Sequence, residues 1–247
     1  MASTSETGHA KNAANLQSLI ASVIGYGAAY NPSKASLKLP ALQVLGTNCN
    51  NAVKAVNAAF PAYAQAIADR ETAFVPLSKM TTRVLNALKA TDTSTQVIEN
   101  AQSIIRKIQG TRATAKKTDE EKAALAAAGK ATKEISTSQM SFDSRLDNLD
   151  KLIQLLDNSP LYAPNETELQ LTSLKAYYAT LNATNAVVKT AIIPLSNARI
   201  SRDDIMYKAG ASMVDIALDV KIYIKSVYGA SSPQYKQVSK LAFKVIP

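Results

Sequence analysis

Apolar residues return at steps of three and four along most of the chain. Leu16, Leu19, Ile20, Val23 and Ile24 mark one stripe of a first helix. Leu42, Leu45, Cys49, Ala52, Val56, Phe60, Tyr63, Ile67, Arg70 and Phe74 continue the spacing over a far longer stretch. Leu171, Leu174, Tyr178, Leu181, Asn185, Val188, Ile192, Leu195, Arg199, Arg202 and Met206 write it again. Each stretch is a heptad-like seam of roughly 40 residues, or about 60 Å of helix at 1.5 Å per residue. Beyond the first seam, Val84, Leu85 and Leu88 carry the pattern on, and a Thr91–Thr95 turn leads to a short helix closed by Gly110. Beyond the second, Val214, Leu218, Ile222 and Ile224 mark one helix and Tyr235–Phe243 a last short one. The spacing predicts an all-α protein.

The two seams belong to a longer repetition. YNPSKASLKLPAL (Tyr30–Leu42) aligns with YAPNETELQLTSL (Tyr162–Leu174), and the same register sets Arg70 on Arg202 and Phe74 on Met206. Upstream, with a one-residue shift, NLQSLI (Asn15–Ile20) falls on NLDKLI (Asn148–Ile153). Internal repetition at this scale points to two copies of one supersecondary unit. The expectation is two pseudo-repeats docked about a pseudo-twofold axis into one elongated bundle, with long helices over residues 31–75 and 163–207. Asn31-Pro32 would start the first, and Asn165 with Glu168 would form a capping box on the second. Pro61 and Pro194, one position apart in the shared register, predict a kink in each. The boundaries read as a polar arm at 1–11, repeat 1 at 12–110, a solvated linker at 111–137 with a helical stretch over Glu120–Ala128, and repeat 2 at 138–247.

Composition narrows the function classes. The chain has no Trp, four Phe and eight Gly, and its apolar residues are mainly Ala, Leu, Val and Ile. His9 is the single histidine and Cys49 the single cysteine. A hydrolytic triad has no credible base, and no metal-ligand spacing or phosphate-binding glycine loop is present. The reading is therefore a non-enzyme with no catalytic, cofactor-binding or metal residues. The formal charge of +9 permits association with nucleic acid, anionic lipid or acidic protein. Arg106-Lys107, Arg112 and Lys116-Lys117 run into the acidic Asp119–Glu121, which reads as a solvated face, so nucleic acid is a possible partner but not the favoured one. No run of about 18 apolar residues predicts a membrane-spanning helix. MASTSETGHAKN lacks the apolar core of a secretory leader, and a cytoplasmic location is the default.

Two sets of residues stand out. Arg70 and Arg202 interrupt the seams at matching positions, each beside carboxylates: Asp69 and Glu71, and Asp203 and Asp204. They read as registry-setting ion pairs or an anion site between the repeats, the plainer alternative being side chains that reach the surface. Tyr26, Tyr30 and Tyr162 lie near the helix junctions and are the candidate interface residues, since tyrosine is favoured where surfaces meet.

SETGHAKN (Ser5–Asn12), YNPSKA (Tyr30–Ala35), RKIQGTRAT (Arg106–Thr114), SQMSFDSRLDNLDKLIQLL (Ser138–Leu156), YAPNE (Tyr162–Glu166), PLSNARISR (Pro194–Arg202) and SSPQYKQVS (Ser231–Ser239) together resemble a family of uncharacterised helical proteins from Bacteroidota. The resemblance implies a helical fold and a variable segment between the repeats; it implies no activity, cofactor or site. The functional expectation is a structural or scaffolding protein that self-associates into a homo-oligomer or filament. A basic nucleic-acid-associated protein is the alternative. A helical-bundle toxin or membrane-remodelling protein is the second, although the apolar hairpin such proteins insert is missing.

Overall fold

The computed structural model describes residues 8–111, 118–128 and 140–246, and every regular element among them is helical. In chain order the α-helices are α1 (His9–Tyr26), α2 (Leu39–Phe74), α3 (Leu77–Lys89), α4 (Thr95–Gln109), α5 (Asp119–Ala127), α6 (Phe142–Asp157), α7 (Leu171–Tyr207), α8 (Met213–Tyr228) and α9 (Pro233–Ser239). Short 3-10 turns occupy Gly27–Ala29, Ala35–Leu37 and Thr167–Leu169.

The chain packs as two compact units. Unit 1 takes the residues up to Ala64 and those from Ala191 onward; unit 2 takes Gln65–Thr190. In unit 1, α8 packs against α1, α9 and the Ala35–Leu37 turn, over a core that includes Leu16, Leu19, Leu42, Met213 and Val220. In unit 2, α4 packs against α6 and α3, and the Thr167–Leu169 turn against α3. Its core includes Leu77, Leu88, Ile108, Leu149 and Leu174. Each buried side chain of this size contributes about 1.5–3 kcal/mol relative to exposure. Each unit draws on both halves of the sequence, because α2 and α7 each run out of one unit into the other. The crossing in each helix lies within one turn of its proline, Pro61 or Pro194.

The long helices start later than the spacing predicts, at Leu39 and Leu171 rather than near residues 31 and 163. The physical reason is the same in both. The Tyr30 hydroxyl donates to the Leu37 carbonyl and the Tyr162 hydroxyl to the Leu169 carbonyl, both at 2.8 Å. Each segment therefore folds back over its own ring and ends in a 3-10 turn before the helix begins. Asn165 and Glu168 form no cap there; Glu168 pairs instead with Arg83. Capping boxes form at Thr118 with Glu121 and at Ser212 with Asp215.

Residues 1–7 of the expected arm lie outside the described residues, and His9–Lys11 are already the first turn of α1. Of the expected linker, 112–117 and 129–137 lie outside them too; α5 stands between, with no buried side chain. In unit 1 side chains of α1 lie over Gly46 of α2, where a Cβ would fall 2.7 Å from the Gln17 side-chain amide nitrogen and 2.8 Å from Ile20 Cδ1. Both atoms are the far ends of flexible side chains, so a larger residue at position 46 would require the Gln17 and Ile20 side chains to shift.

Candidate functional site

In unit 2 the end of α2 meets the first turn of α6 through a reciprocal exchange of charge and ring. Arg70 and Phe74 sit one turn apart on α2, and Phe142 and Arg145 sit three residues apart on α6, so each pair faces one way. The Arg70 guanidinium lies 3.9 Å from the centre of the Phe142 ring, and that of Arg145 5.3 Å from the Phe74 ring. The two rings meet edge to face at 4.9 Å. Each cation–ring contact contributes about 0.5–2 kcal/mol, more as water is excluded. Arg70 Nε and Arg145 Nε are buried without an acceptor, and the π faces take an acceptor's place.

Polar groups close the edge of this cluster. Arg70 Nη1 donates to Asn185 Oδ1 at 3.2 Å, and Asn185 Nδ2 donates to Asp143 Oδ1 at 2.8 Å. Lys189 Nζ reaches the same Asp143 oxygen at 2.7 Å. The Lys189 and Asn185 hydrogen bonds hold the Asp143 carboxyl below the usual carboxylate range. On α7 the Tyr177 hydroxyl donates to the Ala73 carbonyl at 2.7 Å. Burial raises the Tyr177 pKa, opposed by the Arg145 charge.

Unit 1 joins the end of α7 to the first turn of α1 with different chemistry. His9 Nδ1 and the Tyr207 hydroxyl share a hydrogen bond of 2.8 Å, with the rings tilted against each other at 5.6 Å. Asn12, 3% exposed, acts as a backbone mimic: its Nδ2 donates to the Lys244 carbonyl at 2.6 Å and its Oδ1 accepts the Lys244 N–H at 3.2 Å. Asn15 Nδ2 donates to the Ala242 carbonyl at 2.7 Å. These two amides fasten the C-terminal segment to α1. Burial first, and then the Arg202 charge, lower the His9 pKa, against a smaller opposing pull from Asp203.

The arginines therefore take forms the spacing did not disclose. Among the described residues no carboxylate lies within ion-pair distance of Arg70; a ring and an amide hold it instead. Arg202 is half-buried and pairs with its chain neighbour Asp203, Nη2 to Oδ1 at 2.8 Å, a local bond rather than one that sets register between repeats. Two of the three candidate interface tyrosines offer no surface to a partner. Tyr30 and Tyr162 are 8% and 5% exposed, because each ring plugs the core beneath its loop and each hydroxyl is used by a leucine carbonyl. Burial pushes the Tyr162 hydroxyl up to about 12 and raises that of Tyr30 as well. Only Tyr26 is half-buried, 5.3 Å from the Tyr228 ring, its hydroxyl donating to the Gln234 carbonyl at 3.0 Å. Cys49 is fully buried in unit 1, which pushes its thiol up to about 11, the state of a packing residue rather than a nucleophile.

Sequence reasoning missed Phe142, Arg145, Asn12 and Tyr207. A usable signal was present: Asn185 is an uncharged polar residue in the middle of the second seam, and it is 3% exposed, so it had to have partners. Among the described residues no helix is long and apolar enough to cross a membrane. Comparison with known proteins finds no matching family model, no similar curated protein and no similar solved structure.

Proposed function

We propose that the chain is a non-enzymatic scaffold, built by internal duplication, that associates with copies of itself. One observation carries this reading: each unit is completed by the other half of the sequence. α1 and the first part of α2 meet the end of α7, α8 and α9; α6 and the first part of α7 meet the end of α2, α3 and α4. That is the pattern of a homodimer with exchanged arms whose two chains have been joined into one. The repeated tyrosine-to-leucine hydrogen bond supports the same origin. In this reading Pro61 and Pro194 kink the two long helices at matching depth, since each removes a backbone hydrogen bond.

A surface evolved for pairing persists in the exposed apolar residues of the long helices. Phe60, Ile193 and Ile200 are each more than half exposed, and they are the residues through which a second copy would dock. The net charge of +9 opposes close approach of like chains, so association should strengthen as salt rises. Sedimentation equilibrium at tens of micromolar protein tests the reading. The expected mass exceeds one chain and grows with salt, while a Phe60→Ser, Ile200→Ser double variant returns to a monomer with unchanged helix content. A monomeric wild type at both low and high salt overturns it. Tyr30 and Tyr162 are unsuited to this test, because their buried rings belong to the cores.

A further inference from the structure

The apolar pattern of α8 is one that a helix cannot bury from a single side. Val214, Ile216, Leu218, Val220, Ile222 and Ile224 alternate with Asp215, Ala217, Asp219, Lys221, Tyr223 and Lys225. An alternation of two, wound at 3.6 residues per turn, distributes apolar side chains all round the axis. Met213, Ala217, Val220 and Ile224 form the buried stripe. Leu218 and Ile222, one turn apart on the other side, are left 43% and 64% exposed. Lys221 and Lys225 share their face at the intervening helical steps.

Positive charge is concentrated in the same part of unit 1. From Ile205 to the C-terminus the lysines are Lys208, Lys221, Lys225, Lys236, Lys240 and Lys244, the carboxylates only Asp215 and Asp219, and arginine is absent. Both carboxylates are engaged within the fold. Asp219 pairs with Lys34 at 2.6 Å, and Asp215 accepts from the Ser212 hydroxyl at 2.9 Å and the Gly210 N–H at 2.8 Å. Lys221 Nζ donates to the Ser239 and Leu241 carbonyls at 3.1 and 3.0 Å, which ties the C-terminal segment alongside α8. Lys225, Lys236 and Lys240 stay exposed, with no carboxylate within ion-pair distance among the described residues.

We propose that this face of unit 1 docks on an anionic bilayer surface. Leu218 and Ile222 enter the boundary between headgroups and acyl chains, and Lys225, Lys236 and Lys240 lie against the negative headgroups. Charge complementarity calls for an anionic partner, and three features select lipid over nucleic acid. The cations are all lysine, point charges without the planar fork of arginine that grips phosphate from two sides. The tyrosines here are already engaged: Tyr223 packs edge-on against Tyr30 at 5.2 Å, Tyr228 against Tyr26 at 5.3 Å, and Lys225 Nζ lies 5.8 Å from the centre of the Tyr235 ring, which leaves bases a poor platform. Beside the α8 lysines the exposed side chains include the aliphatic Leu218, Ile222 and Val227, which bilayers accept and nucleic acid does not. The proposal does not depend on self-association.

Co-sedimentation of the full chain with vesicles of phosphatidylcholine, with or without phosphatidylserine, tests it. Binding is expected only with phosphatidylserine, weakening steeply as salt rises. Leu218→Ser with Ile222→Ser should lower it by about tenfold or more, with helix content intact because both side chains are already exposed. Lys236→Glu with Lys240→Glu should lower it comparably. Two results overturn the proposal: no partition onto phosphatidylserine vesicles at low salt, or undiminished binding by the serine variant. Duplex DNA retention that falls with the glutamate variant and ignores the serine variant, without vesicle binding, would assign the lysines to nucleic acid.

Discussion

The two units solve one packing problem with different side chains. Each must fix the first turn of a short helix against the end of a long one. In the register that sets Asn15 on Asn148, His9 falls on Phe142 and Asn12 on Arg145; in the neighbouring register Arg202 falls on Arg70. In unit 2 the arginine lies on a phenylalanine ring, a face that attracts a cation at every pH. In unit 1 the residue at that register position is a histidine, whose protonated form burial, and then the Arg202 charge, oppose. Arg202 turns to Asp203 instead, and His9 finds Tyr207. Where unit 2 uses Arg145 and a second ring, unit 1 uses Asn12 to hold the backbone at Lys244. Each joint sets the first turn of a short helix against the end of a long one, the chemistry at the two differs, and only the unit 1 joint holds a histidine.

The comparison is broken most severely at Phe74. Phe74→Ala empties a site 2% exposed and removes the rings' mutual contact together with the seat of Arg145. The expected loss is about 3–5 kcal/mol, read as a lowered denaturation midpoint with hydrogen exchange accelerated in Gln65–Thr190 first. Exchange that accelerates equally in both units would mean that Phe74 is not specific to the unit 2 joint.

The tyrosine loops test the likeness rather than the difference. Tyr30→Phe and Tyr162→Phe each keep the ring and strand a buried leucine carbonyl, at a cost of about 1–3 kcal/mol. Denaturation curves should give similar losses for the two variants. A clear loss in one alone would show that the two hydrogen bonds are not equivalent.

The smallest expected effect sharpens the contrast most. His9 has a pKa below its ordinary 6.5 in the folded chain, so the unfolded chain takes up the proton more readily. Unit 1 stability should thus be fully present above about pH 6.5 and decline as pH falls below it. Exchanging the residues should exchange the behaviour: His9→Phe flattens that slope, and Phe142→His brings one into unit 2 beside Arg70. A pH series of denaturation midpoints, with the His9 ring followed by NMR, checks both. An unchanged slope in His9→Phe would assign the pH dependence to other groups.

The all-helical character was legible because the spacing of Leu16, Leu19, Ile20 and Val23, and of their counterparts at Leu149, Leu152, Ile153 and Leu156, admits little else. The late starts of α2 and α7 were not. Asn31-Pro32, and Asn165 with Glu168, are ordinary helix-start signals, and what overrides them is a hydroxyl reaching a carbonyl seven residues on, a contact with no periodic signature. The partners of Arg70 were illegible for a related reason. Its neighbours in sequence, Asp69 and Glu71, point away around the helix, while the ring that receives it stands more than seventy residues along the chain, on α6. Periodicity reports which face of a helix is buried and is silent on which other helix buries it.

The interruption of unit 1 by unit 2 bears on how the protein is made. Gln65–Thr190 leaves the ribosome as one continuous stretch and can fold while synthesis continues. α1 and the start of α2 precede that stretch yet lack α8 until the residues beyond Ala191 are translated. At cellular elongation rates that wait is on the order of ten seconds, during which Leu16, Leu19, Ile20 and Leu42 have no native partner from beyond Ala191. The part of unit 1 that precedes unit 2 is thus sheltered only after it, and a premature stop after Thr190 would leave α1 and the start of α2 without their partners in α7, α8 and α9.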